Sequence, residues 1–262
     1  MEIYKALVRR VLEKGKLRKN RTGIDTISAF GESFRHDMRK GMPFLTTKKI
    51  HIKSCIHELL WFLKGDTNIK YLNDNGVHIW DPWADSEGNL GPIYGHQWTN
   101  SGPNHVNQIL NAVDAIKYDP YSRRIIIDAW NPSDLQDMAL PPCHILYQFY
   151  PDPETKELSL SVYMRSADLF LGVPFDIAEG GLLLSMVAKV TGYIPYELIY
   201  TFGDIHMYIN HAEQLSEQLK RECFELPKLA LNKLDSVFDY TYNDFNISGY
   251  KCHPALKGKV AV

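Results

Sequence analysis

No stretch of this sequence is apolar for long enough to cross a bilayer as a helix, so a helical membrane span is excluded. No glycine-rich phosphate loop of the P-loop or dinucleotide type occurs, which weighs against ATP or nicotinamide as the cofactor. The four cysteines, Cys55, Cys143, Cys223 and Cys252, show no C-x-x-C spacing. A zinc site is therefore not expected, and reduced thiols in an intracellular, cytoplasmic protein are the simplest reading. Charge of one sign is also lacking. Lys and Arg number 29 against 31 Asp and Glu, a net charge of −2. That argues against broad binding to a nucleic-acid backbone and leaves room for a small basic pocket. No repeat, low-complexity tract or linker divides the chain, so one domain over 1–262 is expected. Residues 1–5 read as the start of an amphipathic helix, not a signal peptide.

What is present is a large apolar fraction, 45% of 262 residues, enough for a substantial core. Ile3, Leu7, Val8, Val11 and Leu12 are spaced for a helix over 3–13 that stops at Gly15. Ile52, Cys55, Ile56, Leu59, Leu60 and Leu63 predict a second helix over 52–64. Further helices are expected over 105–117, 175–190 and 209–222. Strands are expected over 25–36, 123–130, 143–150, 157–164 and 196–207. Residues 75–103 are rich in Trp, Gly, Pro and Asp and read as an irregular functional loop. The irregular mixture of helices and strands predicts an α+β fold with one large mixed β-sheet flanked by helices.

Cys143 stands behind Pro141 and Pro142 at a strand entrance. A proline pair is poor strand interior, and it can hold a thiol accessible. The residue is either a buried core cysteine or a nucleophile, the latter requiring a lowered pKa. Arg21 in a polar turn, Arg123 and Arg124 at a strand start, and Arg165 with Ser166 at a strand end are candidate phosphate ligands, or solvated surface residues. Adjacent strand residues face opposite sides, so Arg123 and Arg124 cannot enter one pocket together by strand geometry. Alternation puts His206 and Tyr208 on one side of a strand end. Glu58 lies on a core helix, where a carboxylate is costly unless paired or used. His144 is a poor base for Cys143 because it is adjacent on a strand, so a cysteine hydrolase is a remote alternative.

These residues sit in motifs that together resemble the thymidylate synthase family. The motifs are Asn20-Arg21-Thr22-Gly23, His57-Glu58-Leu59-Leu60-Trp61-Phe62-Leu63, and Ile79-Trp80-Asp81-Pro82-Trp83-Ala84-Asp85. They continue with Gly91-Pro92-Ile93-Tyr94-Gly95, Asp119-Pro120-Tyr121-Ser122-Arg123-Arg124, Pro142-Cys143-His144, Arg165-Ser166-Ala167-Asp168, and Gly203-Asp204-Ile205-His206-Met207-Tyr208. The resemblance implies a homodimer packed sheet against sheet. It implies Cys143 as the nucleophile at C6 of a pyrimidine nucleotide, with Glu58, Tyr94 and Arg165 in the catalytic set. It implies Arg21, Arg165 and Ser166 on the 5′-phosphate, joined by Arg123 and Arg124 from the other subunit. His206 and Tyr208 would hold the deoxyribose 3′-hydroxyl, and Asp168 would border both ligands. Ile79, Trp80, Trp83, Leu140, Asp168, Gly172, Phe175 and the C-terminal Val262 would form the site for 5,10-methylenetetrahydrofolate, with no metal.

The chain departs from the family at Asp176, where members acting on uracil carry asparagine. An aspartate can accept from the 4-amino group of cytosine and, when protonated, donate to N3. Against uracil a carboxylate oxygen would face O4 with no proton between them, a mismatch able to discriminate by about 10⁴-fold. The substrate expected is dCMP, with Asp176 contacting the base, and dUMP is the alternative. Ala178-Glu179-Gly180-Gly181 and Met164 also depart from the family pattern, and Glu179 stands near Asp176. The intermediate at C5 can take hydride to give methyl or water to give hydroxymethyl, and methyl is the expected product. A non-catalytic nucleotide-binding protein is the remaining alternative.

Overall fold

A computed structural model describes residues 1–260. Its centre is a six-stranded mixed sheet in the order β1-β2-β6-β5-β4-β3. The strands are β1 (Lys16–Arg18), β2 (Thr26–Asp37), β3 (Ile126–Asp128), β4 (His144–Asp152), β5 (Glu157–Asp168) and β6 (Ile194–Tyr208). Only β5 and β6 pair in parallel; every other neighbour pair is antiparallel. A parallel pair cannot be closed by a tight turn and needs a crossover. Here the crossover is α6 (Gly172–Thr191).

Helix α6 is buried from Val173 to Ala188 except at Phe175 and Asp176, as expected of a helix enclosed on most sides. Pro174 sits in its first turn, where a missing N–H costs nothing. Gly192 ends it with φ 77°, a left-handed cap suited to glycine. Helix α6 packs on β5 and β6 and on the second core helix, α2 (Ile52–Leu63). Along β5, Leu158, Leu160, Val162 and Met164 face this core while Ser159, Ser161 and Tyr163 face outward.

The remaining helices are α1 (Glu2–Lys14), α3 (Lys70–Asp74), α4 (Tyr94–Thr99), α5 (Gln108–Tyr118) and α7 (Ala212–Lys220). A small hairpin, β7 (Lys228–Leu231) with β8 (Phe245–Ser248), lies apart from the main sheet. No described helix is long and apolar enough to cross a membrane.

The α+β expectation matches this architecture. Several local expectations do not. The buried face of α1 is Tyr4, Leu7, Val8 and Val11, with the Tyr4 hydroxyl donating to the Leu169 carbonyl at 2.6 Å; Ile3 and Leu12 are exposed. The strand expected over 123–130 is only Ile126–Asp128, so Arg123 and Arg124 precede it in a loop. Cys143 also lies outside its strand, which begins at His144. The loop at 75–103 contains α4, and the 209–222 helix begins only at Ala212, after a 3-10 turn.

Candidate active site

The sheet topology gathers the candidate residues at one end. β5 and β6 are parallel, so both finish at that end, with Ser166 paired to Asp204 and Asp168 to His206. β4 runs antiparallel to β5, which brings its first residue, His144, beside Met164. β2 runs antiparallel to β6, which sets Thr26 beside Tyr208. The result is a cleft of about 470 Å³ lined by Arg21, Trp83, Leu140, Cys143, Arg165, Ser166, Asp168, His206 and Tyr208, together with Arg18, Lys19, Asn20, Thr22, Thr26, Asp204 and Val260.

Cys143 is held from three sides. Its N–H donates to the Tyr94 hydroxyl at 2.7 Å, and its carbonyl accepts from Arg165 N at 2.9 Å. The Arg165 guanidinium donates to the Pro142 carbonyl at 2.7 Å and the Pro141 carbonyl at 2.9 Å. The proline pair thus serves as an acceptor platform for the arginine. A register irregularity follows between His144 and Leu146, the kind of local break that re-aims side chains at a sheet end. Burial pushes the Cys143 thiol up, opposed chiefly by Arg165. Arg165 thus lowers the thiol pKa, but its guanidinium does not outweigh the lost hydration.

His144 faces away from the thiol chemistry. Its ring stacks on Tyr94 with centroids 4.2 Å apart, and Nδ1 bonds the Tyr147 hydroxyl. Burial draws its pKa down to about 3, so it is a neutral packing residue and no base for a hydrolase.

The polar turn carrying Arg21 is organised by Asn20, whose Oδ1 accepts from Thr22 N at 2.8 Å and Thr22 Oγ1 at 2.7 Å. His206 Nδ1 bonds Asp204 Oδ1 at 3.1 Å, and the same oxygen accepts from Ser28 Oγ at 2.7 Å. Asp204, overlooked as a site residue, orients His206; their spacing of two along one strand is the signal that could have found it. Asp168 Oδ1 accepts from Phe170 N at 2.9 Å and Leu171 N at 3.1 Å, tying the turn that leads into α6. Buried Lys48, also overlooked, donates to the Phe170 carbonyl in that turn, and burial lowers its pKa to about 8.

Behind the cleft lies a second layer. Trp80 Nε1 donates to Glu58 Oε1 at 2.6 Å. Burial pushes Glu58 up to about 8, against the lowering effect of that bond. Asp176 is pushed up to about 7, by burial first and then by Asp168. These two carboxyl groups can hold and pass protons near neutral pH.

Ile79, Trp80, Gly172, Phe175, Glu58, Tyr94 and Asp176 do not line the cleft itself. Trp80 packs into a cluster with Trp61, Phe62, Trp83 and Tyr94. Arg123 and Arg124 are exposed, and Arg123 lines a separate surface depression with Tyr121 and Gln148. Within one chain they are not brought to Cys143. Val262 lies outside the described residues. Among the described residues no group of three or more His, Cys, Asp or Glu side chains is placed to hold a metal ion.

The sequence profile of the family described as thymidylate synthase matches residues 2–262. The chain belongs to the thymidylate synthase family. Family membership makes it a one-carbon transferase acting at C5 of a pyrimidine nucleotide, with methylenetetrahydrofolate as co-substrate. Members bind nucleotide and folate and are dimers. The lining fits such a pair of ligands, with Arg18, Arg21 and Arg165 for an anionic group and Trp83 and Leu140 for an apolar one.

Proposed function

We propose that this thymidylate synthase family member acts on dCMP and transfers a methyl group to C5. The observation that carries the reading is the Asp176 carboxyl, buried on α6 and pushed up to about 7. Near neutral pH such a group is available in both forms. Protonated, it donates to cytosine N3; its second oxygen accepts from the 4-amino group. An amide offers no proton that a charged ring nitrogen could take, and a uracil edge would leave the carboxyl mispaired.

Arg21, Arg165 and Ser166 bind the 5′-phosphate, and His206 and Tyr208 hold the 3′-hydroxyl. Asp204 fixes the His206 ring for that contact. Phosphate binding brings an anion against Arg165, and substrate closes the cleft around Cys143. The thiolate adds to C6, and the electron pair of the 5,6 double bond makes C5 nucleophilic. Asp176 supplies a proton to N3 as charge develops there. Bound methylenetetrahydrofolate supplies the one-carbon unit and, for a methyl product, the hydride that reduces it. C5 loses its proton to solvent after condensation, the Cys143–C6 bond then breaks to release the thiolate, N3 returns its proton to Asp176, and Glu58 relays protons within the site. Ile79, Trp80, Trp83, Leu140, Gly172 and Phe175 border the folate, excluding water so that hydride rather than hydroxide completes the product. Arg123 and Arg124 serve the other subunit of a homodimer joined through the open sheet face.

Release of tritium from C5-labelled nucleotide in the presence of methylenetetrahydrofolate tests the reading. Release from dCMP well above dUMP is expected, with dihydrofolate absorbance rising in step. Release from dUMP alone identifies an ordinary thymidylate synthase and removes dCMP as substrate. Exchange without dihydrofolate points to hydroxymethyl transfer. Asp176→Asn should reverse the nucleotide preference.

A further inference from the structure

Beside Asp176 lies a small cavity of about 10 Å³, lined by Trp98, His144, Tyr147, Asp176, Glu179, Gly180, Leu183 and Tyr200. That is about the volume of one water-sized sphere. Six buried side-chain polar atoms among the described residues have no hydrogen-bond partner. Three of them, Trp98 Nε1, Asp176 Oδ2 and Glu179 Oε1, belong to residues lining this one cavity. Glu179 is itself only 7% exposed. The other polar groups of the wall are engaged: His144 with Tyr147, and the Tyr200 hydroxyl with the Asp176 carbonyl at 2.5 Å.

The chemistry of the three orphaned atoms is complementary to one water. An indole N–H can only donate, so the water accepts from Trp98. Its two protons then serve the two carboxyl oxygens. Unpaired, each of these groups would carry a desolvation penalty of roughly 1–3 kcal/mol. Water sites of this kind need two to four polar partners, and this cavity offers three.

We infer that the cavity holds one resident water bound by Trp98, Asp176 and Glu179, and that Glu179 acts through it as a positioning residue that decides which oxygen of Asp176 carries the proton offered to the nucleobase. Because the water donates to Oδ2, that oxygen is occupied as an acceptor. The proton of the Asp176 carboxyl is then confined to Oδ1, which donates to N3, while the second lone pair of Oδ2 accepts from the 4-amino group. Burial, with Glu58 and Asp176 nearby, raises the Glu179 carboxyl well above its usual range, which keeps it an uncharged partner. Gly180 is part of the arrangement, because a Cβ there would stand 2.3 Å from the Tyr200 hydroxyl.

This inference rests on the reading of Asp176 as the base-contacting residue. The test is a cycle of Glu179→Leu and Asp176→Asn, read as kcat/KM for tritium release from both dCMP and dUMP. Leucine keeps the bulk and expels the water. E179L should narrow the discrimination between the two nucleotides by about tenfold to a hundredfold, the range one unpaired buried polar group produces. Glu179→Gln retains an acceptor oxygen for the water and should restore discrimination to within about threefold of wild type. In the D176N background E179L should change discrimination by less than about twofold. Trp98→Phe, which removes the donor from the facing wall, gives the same readout should E179L not fold. Equal losses with both nucleotides, or the same loss without Asp176, would overturn the inference. A wild type specific for dUMP would instead remove the dCMP reading, while the cycle would still decide whether Glu179 works through Asp176.

Discussion

Residue chemistry at this site is dominated by loss of hydration. Cys143 and Asp176 are both moved toward their uncharged forms by burial before any neighbour is counted. A specific pH dependence follows. If the protonated Asp176 carboxyl donates to N3, dCMP binding is fully supported below its pKa and lost as pH rises through about 7. The expected weakening approaches tenfold per pH unit above that point, and the D176N variant should lack it. Calorimetric titration of dCMP into the ligand-free protein between pH 5.5 and 8.5 measures this without involving the thiol, on order-of-unit changes in pH. A flat profile in the wild type would remove Asp176 as the proton donor. Much of the residue list could be read from the motifs, since Arg21, Cys143, Arg165, Ser166, His206 and Tyr208 do meet in one cleft. The direction of the thiol shift could not be read, because it depends on how much water the folded chain removes from Sγ.

At the scale of elements, α6 does more than cross between β5 and β6. It carries Asp176 and Glu179 on one turn and packs Gly180 against Tyr200 of β6. A methyl group at Gly180 would force the Tyr200 hydroxyl off the Asp176 carbonyl. Gly180→Ala should therefore destabilise the protein by about 1–3 kcal/mol, the usual penalty for overpacking. Thermal unfolding should show this as a lower Tm. In a Tyr200→Phe background, where the clashing oxygen is gone, the same substitution should cost clearly less, a non-additivity expected of touching residues. Equal costs in both backgrounds would show that the contact does not limit Gly180.

The long elements were the ones readable in advance. Helices over 52–64 and 175–190 and the alternating strand at 157–164 have strong periodicity, and the structure places them within a few residues. Short elements were not: α4 has six residues inside an aromatic loop, and β7 and β8 have four each. Segments of that length hold too few side chains to display a period, so their pairing depends on partners distant in sequence. The expected strand around Arg123 and Arg124 shrank for a related reason: only Ile126–Asp128 finds a partner in β4.

Across the whole molecule, one chain does not bring Arg123 or Arg124 into its own cleft. Arg123 and Arg124 are exposed and remote from the cleft, and Phe30 and Tyr150 are 83% and 72% exposed. The proposed sheet-to-sheet dimer accounts for both observations. Subunit complementation tests it. Mixing a Cys143→Ser protein with an Arg123→Ala/Arg124→Ala protein should regain activity after reassortment. Half of random dimers are hybrid, each with one intact site, so recovery should reach about a quarter of wild type. No recovery would mean that the arginines do not act across an interface.

The sequence by itself determined the family, through motifs that carry chemistry in a fixed order, and the secondary elements long enough to show a period. It also marked Asp176 as a departure from the family pattern. Only the tertiary structure decided that Glu179 turns inward to share a cavity with Asp176 and Trp98, that Asp204 orients His206, and that Arg165 grips both proline carbonyls. The physical reason is burial. A motif names a functional group, but its charge, partners and direction are set by the neighbours that exclude water around it, and those neighbours come from distant parts of the chain.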